Sequence, residues 1–147
     1  MDAVIFDMDG TLVDVSPVRH YVEGDSRNFR AFHEASRFCP PRPDVLAIMR
    51  HPMNAGRAVV IVTARDARFE RVTRDWLARN GISFDALFMR PWGDQRRDTE
   101  VKNDIHAAIV AAGFEPTLAV DDRADIAAVW ESHGIPTILV SQDDSPG

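Results

Sequence analysis

The sequence predicts an α/β fold, a five-stranded and mainly parallel sheet between two layers of helices. Two observations predict it. Short β-branched apolar runs alternate with helix-periodic stretches over the whole chain, joined by short links, in the order βαβαβαβαβ. Polar clusters then recur directly after the buried runs, where open parallel sheets collect ligands at the carboxyl ends of their strands.

The elements follow in order. Val4, Ile5 and Phe6 form a first strand buried on both faces, and Gly10 lets the chain leave it sharply. Ser16 to Pro43 is polar and broken by Pro17, Pro40, Pro41 and Pro43, with one helix near Asn28 to Arg37. It reads as a small insertion at about residues 15–43. Pro43-Asp44 opens a helix carrying Val45, Leu46, Ile48 and Met49 that ends near Asn54 to Gly56, and Ala58 to Val62 is the second strand. Ala67 to Arg79 is an amphipathic helix with Phe69, Val72, Trp76 and Leu77 on one stripe, Glu70 and Arg74 on the wet side, and Asn80-Gly81 as its stop.

Phe84 to Met89 is the third strand. Arg90 to Asp98 is too polar and too marked by Gly and Pro to be regular. Val101 to Ala112 is a helix with Ile105, Ala108, Ile109 and Ala112 inward. Thr117 to Val120 and Thr137 to Val140 are strands, separated by a helix from Ala124 to Ser132, and Ser141 to Gly147 reads as a frayed tail.

Composition narrows the function classes. The 147 residues, 45% hydrophobic and 27% charged, suit a single domain over 1–147 with one substantial core. No apolar run approaches the roughly 18 residues of a membrane span, so a cytoplasmic protein with no membrane partner is expected. Cys39 is alone, which excludes an internal disulfide and a thiolate zinc cluster. The histidines, His20, His33, His51, His106 and His133, lack metal-ligand spacing. A net charge of -6 opposes indiscriminate attraction to nucleic acid. Arginines nevertheless gather at Arg65, Arg68, Arg71 and Arg74 and again at Arg90, Arg96 and Arg97, a basic rim for an acidic centre.

Four clusters carry chemistry. Asp7 and Asp9 stand at the end of the first strand, where i, i+2 spacing turns both carboxylates to one side, toward one phosphate and one hard cation such as Mg²⁺. Thr63-Ala64-Arg65-Asp66 follows the second strand, and a hydroxyl with main-chain N–H groups at a strand-to-helix turn makes a phosphate cradle, with Arg65 to neutralise charge. Taken alone, Thr63 reads as a helix cap and Arg65 as a solvated side chain. Lys102 lies one turn into its helix, where the helix dipole disfavours a cation, so something else should reward it. Asp98 stands four residues earlier, and a surface ion pair is the plain reading of the two. Asp121 and Asp122, adjacent at the end of a buried strand, repel one another and call for a cation or a proton.

With these residues in hand, the chain resembles the haloacid dehalogenase-like (HAD-like) phosphatase superfamily, through Asp7 to Thr11, Val62 to Asp66, Lys102 and the Asp121-Asp122 pair. Arg90 to Lys102 and Ala119 to Val140 look more narrowly like the 3′-phosphatase half of phage-type polynucleotide kinase/phosphatase. The resemblance implies a three-layer α/β/α sandwich with a Rossmann-like sheet and a small cap or flap. It implies a Mg²⁺-dependent phosphoric monoester hydrolase that removes 3′-phosphates from DNA or RNA ends through an aspartyl-phosphate, with a separate kinase or ligase as partner. Asp7 is implied as nucleophile, Asp9 as general acid and base, Thr63 and Lys102 on the phosphate, and Asp121 with Asp122 at Mg²⁺, which Asp7 and the main chain of Asp9 also hold. Ala64, Arg65 and Asp98 match further functional positions, and Arg19 matches the flap arginine with a shift of one residue. Thr63-Ala64-Arg65 departs from the usual Ser-Gly-Arg. No glycine-rich nucleotide loop ending in Gly-Lys-Ser/Thr occurs in these residues, so nothing here supports ATP binding. Two other readings stay open: a phosphatase of mononucleotides or other small phosphate esters, and a noncatalytic phospho-receiver-like module.

Overall fold

The structure, a computed structural model, describes residues 1–24 and 27–141. The tail expected from Ser141 onward lies, after Ser141 itself, outside the described residues.

Among the described residues five strands form one sheet: β1 (Asp2–Asp7), β2 (Ala58–Asp66), β3 (Ala86–Arg90), β4 (Glu115–Asp121) and β5 (Thr137–Leu139). Their order is β3-β2-β1-β4-β5, and every neighbouring pair is parallel. The fold is the expected α/β/α sandwich, with β1 at its centre. Strand alternation divides β1 between two cores. Val4 and Phe6 face Val45 of α2 (Pro43–Met49) and Trp76 and Leu77 of α3 (Glu70–Arg79), while Ala3 and Ile5 face Ile105 and Ile109 of α4 (Asp98–Ala111) and Trp130 of α5 (Ala124–Ser132). Each of these large apolar side chains contributes on the order of 1.5–3 kcal/mol by leaving water.

The register sets the site. Phe6 pairs with Ile61 on one side and Val120 on the other, and Asp7 pairs with Val62, so Asp7, Thr63 and Asp121 end up along one sheet edge.

Three local expectations are corrected. β2 does not end at Val62 but runs to Asp66, with an irregularity in its pairing to β3 between Thr63 and Asp66. The following helix accordingly begins as a 3-10 turn, Ala67–Phe69, capped by the Asp66 carboxylate on the Arg68 N–H at 2.8 Å. α2 stops at Met49 because Pro52 forces His51 into an extended conformation, ψ 138°. In α4 the buried residues are Val101, Lys102, Ile105 and Ile109, whereas Ala108 and Ala112 are exposed, since a methyl group gains little from burial.

The insertion is built from a 3-10 helix (Ser16–Val22), α1 (Phe29–Ala35) and a 3-10 turn (Ser36–Phe38). It lies over the carboxyl edge of the sheet, where Arg19, Phe29, Phe32 and His33 form one wall of a cleft. No helix among the described residues is long and apolar enough to cross a membrane.

Candidate active site

The cleft, of about 770 Å³, reaches down to Asp7, Asp9, Thr63, Lys102 and Asp122. At its floor the Lys102 ammonium, 3% exposed, lies 2.8 Å from Asp7 Oδ1 and 3.3 Å from Asp121 Oδ2. These two carboxylates are what rewards a buried cation so early in α4. Burial works against the Lys102 charge, but Asp7 and Asp121 outweigh it and hold its proton more firmly than in water.

One ammonium does not neutralise this floor. Oxygens of Asp7, Asp121 and Asp122 lie within 4.8 Å of one another. Asp121 is pushed up to about 6, first by burial and then by the negative charge of Asp7, with Lys102 only partly opposing. Three converging carboxylates with surplus negative charge fit a hard divalent cation held by oxygen ligands. Thr11, fully buried, ties the set together, its hydroxyl at 3.0 Å from Asp7 Oδ2 and 3.1 Å from Asp122 Oδ1.

Asp9 sits differently. β1 ends at Asp7, so alternation no longer governs the next residues, and the Asp9 carboxylate meets the Arg65 guanidinium side-on at 2.9 and 2.6 Å. Arg65 is therefore not solvated, as the sequence taken alone suggested, but turned onto Asp9. It is 2% exposed, and its remaining donors reach Thr73 Oγ1 at 3.0 Å and Ser36 Oγ at 2.9 Å. Burial would raise the Asp9 carboxyl, but Arg65, with help from Lys102, holds it below the usual carboxylate range. His33 Nδ1 lies 3.8 Å from Asp9 Oδ2, and burial brings that imidazole down to about 4, so it is neutral there.

Thr63 is buried but does not cap a helix; its hydroxyl accepts the Arg65 N–H at 3.1 Å and so shapes the irregular end of β2. The Ala64 carbonyl accepts Arg90 Nε at 2.8 Å. Asp98 does not pair with Lys102 but bridges Arg90 and Arg123, the latter at 2.5 Å. Arg19 lines the cleft from the insertion, half-buried.

Sequence reasoning assigned no task to Thr11, Ser36, Thr73 or Arg42. Arg42 is buried beside the loop that follows Asp7 and donates to the Gly10 carbonyl at 2.8 Å while gripping Asp44 with two nitrogens. Only Thr11 carried a signal, a hydroxyl four residues after Asp7 within the quoted motif.

The profile of the polynucleotide kinase PNKP phosphatase domain matches residues 1–145. A protein of Autographa californica nuclear polyhedrosis virus, assigned as a bifunctional polynucleotide kinase/RNA ligase, is 28% identical over 139 residues. The match covers 93% of this chain and 19% of that protein. Among solved structures, a chain of the Pnkp1/Rnl/Hen1 complex superposes with a TM-score of 0.79 at 23% identity, over 97% of this chain and 47% of the other. The class C acid phosphatase of Bacillus anthracis superposes with a TM-score of 0.67 at 13% identity, over 96% of this chain and 66% of the other. The chain thus spans less than half the length of the viral protein and of the Pnkp1/Rnl/Hen1 chain, and the two structural likenesses speak for the fold. Since the profile runs over all but the last two residues, the chain belongs to the PNKP phosphatase-domain family of HAD-like phosphatases.

Proposed function

We propose that this phosphatase removes 3′-phosphates from DNA or RNA ends, with Mg²⁺ as cofactor and an aspartyl-phosphate on Asp7 as intermediate. The observation that carries the reading is the floor of the cleft, where Asp7 is held by Lys102 and Thr11 beside two further carboxylates. Family membership supports phosphate as the group transferred. The kinase/RNA ligase assignment of the viral relative and the Pnkp1/Rnl/Hen1 RNA repair complex support nucleic-acid ends as substrate, with kinase or ligase activity alongside.

Asp7, Asp121 and Asp122 would hold Mg²⁺, with the main-chain carbonyl of Asp9 as a further ligand. When bound, it supplies positive charge to the phosphoryl oxygens and to the Asp7 carboxylate. The chain does the rest. Asp7 Oδ attacks phosphorus, the bond from phosphorus to the sugar oxygen breaks, and Asp9 delivers a proton to that oxygen. Water then attacks the aspartyl-phosphate, Asp9 takes its proton, and the bond to Asp7 breaks to free phosphate. Arg65 keeps Asp9 ionised in the free site, the state the second half requires, so the proton that Asp9 delivers in the first half enters with the substrate as its singly protonated phosphate. Lys102 and the Thr63 turn complete the charge balance around the phosphoryl group. Together these groups must offset a barrier on the order of 20 kcal/mol, chiefly by positioning and charge.

The test is phosphate release from matched oligonucleotides phosphorylated at either terminus and from free nucleotides, with and without Mg²⁺. Preference for the 3′-phosphorylated oligonucleotide is expected, with Asp7→Asn losing more than about a hundredfold in kcat, as for a missing nucleophile. A clear preference for free nucleotides would overturn the substrate, and an active Asp7→Asn would overturn the covalent route.

A further inference from the structure

A row of π-systems crosses the mouth of the cleft. Trp92, in the loop between β3 and α4, lies 5.6 Å from the Arg68 guanidinium. That guanidinium lies 5.5 Å from the Phe69 ring, and Phe69 is 4.7 Å from His33, which has Phe29 at 6.4 Å. Three separate segments of chain contribute to it. Its outer members are left in water, Trp92 at 72% and Phe29 at 55% exposure, which is costly for rings that serve only packing.

Past this row the surface continues into a second groove, which shares Arg30, Arg68, Phe69 and Trp92 with the first. Among the described residues it is lined by five arginines, Arg37, Arg71 and Arg79 included, against the carboxylates of Glu34 and Asp75. Phe38, 74% exposed, stands in it with the Arg37 guanidinium 4.7 Å over its ring. On a chain of net charge -6, this is a local reversal of sign. Alternating cations and exposed rings along one track match an unpaired nucleic-acid strand, whose phosphates need positive charge and whose bases need faces to stack on. A duplex hides its base faces and would leave the rings unused.

Resting on the phosphatase reading above, we propose that the second groove is a single-strand track: the nucleotides preceding the 3′-phosphate stack on Trp92, Phe69 and Phe38 and set their phosphates on Arg37, Arg68 and Arg71. The site thereby recognises an unpaired 3′ tail several nucleotides long rather than a terminal nucleotide alone.

The length dependence of kcat/KM tests this, using 3′-phosphorylated single strands of two, four, six and eight nucleotides in DNA and RNA form. The wild type should gain at least about tenfold between the shortest and longest. The charge-reversed double variant Arg37→Glu with Arg71→Glu, both at exposed positions, should lose that gain. Trp92→Ala should lower kcat/KM on the longer strands about tenfold, the loss of one stacked base. Binding is read separately in Asp7→Asn by tryptophan fluorescence. Trp76 and Trp130 are 1% and 0% exposed, so quenching by a bound strand reports Trp92. Length-independent kcat/KM with 3′-phosphatase activity intact would overturn the track and leave the phosphatase reading standing. Length-dependent quenching in Asp7→Asn, with no release of 3′-phosphate by the wild type, would do the opposite. Equal activity on a blunt duplex and on a single strand would also overturn the track.

Discussion

Gly10 has a backbone φ of +83°, and a Cβ added there would fall 2.2 Å from Asp122 Oδ2. By having no side chain, the residue leaves room for Asp122, one of the carboxylates proposed to hold the metal. Gly10→Ala has to displace Asp122 and to hold a left-handed backbone at a cost of about 1–2 kcal/mol. Phosphate release should fall at least about tenfold, with half-saturation moved to higher Mg²⁺; an unchanged Mg²⁺ titration would contradict the role given to Asp122. Arg65 makes a second case. Arg65→Met leaves the Asp9 carboxylate without its two charged donors and strips Ser36 and Thr73 of theirs. Chemical denaturation should show a loss of about 2–3 kcal/mol, below the value for a wholly buried pair because 21% of the Asp9 side chain is exposed. The Arg65–Asp9 pairing was not legible from the sequence, whereas the need for Gly10 at a sharp exit from β1 was. Arg65 and Asp9 are 56 residues apart, and a charged residue after a strand carries no local mark of the partner it will find. Lys102 differed because a cation near a helix N-terminus is locally unfavourable, and that cost pointed to a distant compensation.

At the scale of elements, periodicity reports burial faithfully where a segment is apolar and fails where polar residues continue a strand. Val4 to Phe6 and Ala58 to Val62 were readable because burial on both faces demands continuous apolar residues. Thr63 to Asp66 was read as a turn because the apolar run stops at Val62, although pairing to β3 resumes at Asp66 with Arg90. Asp66 then does two jobs, capping the next helix through the Arg68 N–H and accepting the Gly93 N–H at 3.3 Å. It thereby ties the end of β2 to the loop that carries Trp92. Asp66→Ala should cost about 1 kcal/mol, the usual value of a lost cap, measured as a shift in denaturant midpoint at constant slope. Asp66→Asn keeps an acceptor and should recover most of it.

The whole molecule folds its least comfortable charges into one place. A parallel sheet brings the ends of β1 and β4 side by side, so Asp7 and Asp121 are forced together by the same topology that fills the two cores, and Asp122 follows at once. That convergence was readable in advance because strand order and strand ends are global consequences of local patterns. The hydroxyls of Ser36 and Thr73 were not, since their partners depend on side-chain placement after packing. The crowding has a thermodynamic consequence. A cation that binds the folded carboxylate cluster and not the unfolded chain stabilises by RT ln(1 + [L]/Kd), about 1.4 kcal/mol at a concentration ten times Kd. For a domain of this size that is a rise in Tm of roughly 3–6 °C. Thermal unfolding with Mg²⁺, followed by chelation, should therefore show a reversible shift of this order without any substrate present. Asp121→Asn should abolish the shift while the protein remains folded, because it removes a carboxylate already strained by burial and by Asp7. A wild-type Tm indifferent to Mg²⁺ at concentrations that support turnover would mean that the cation arrives with the substrate, and that the carboxylates alone do not form its site.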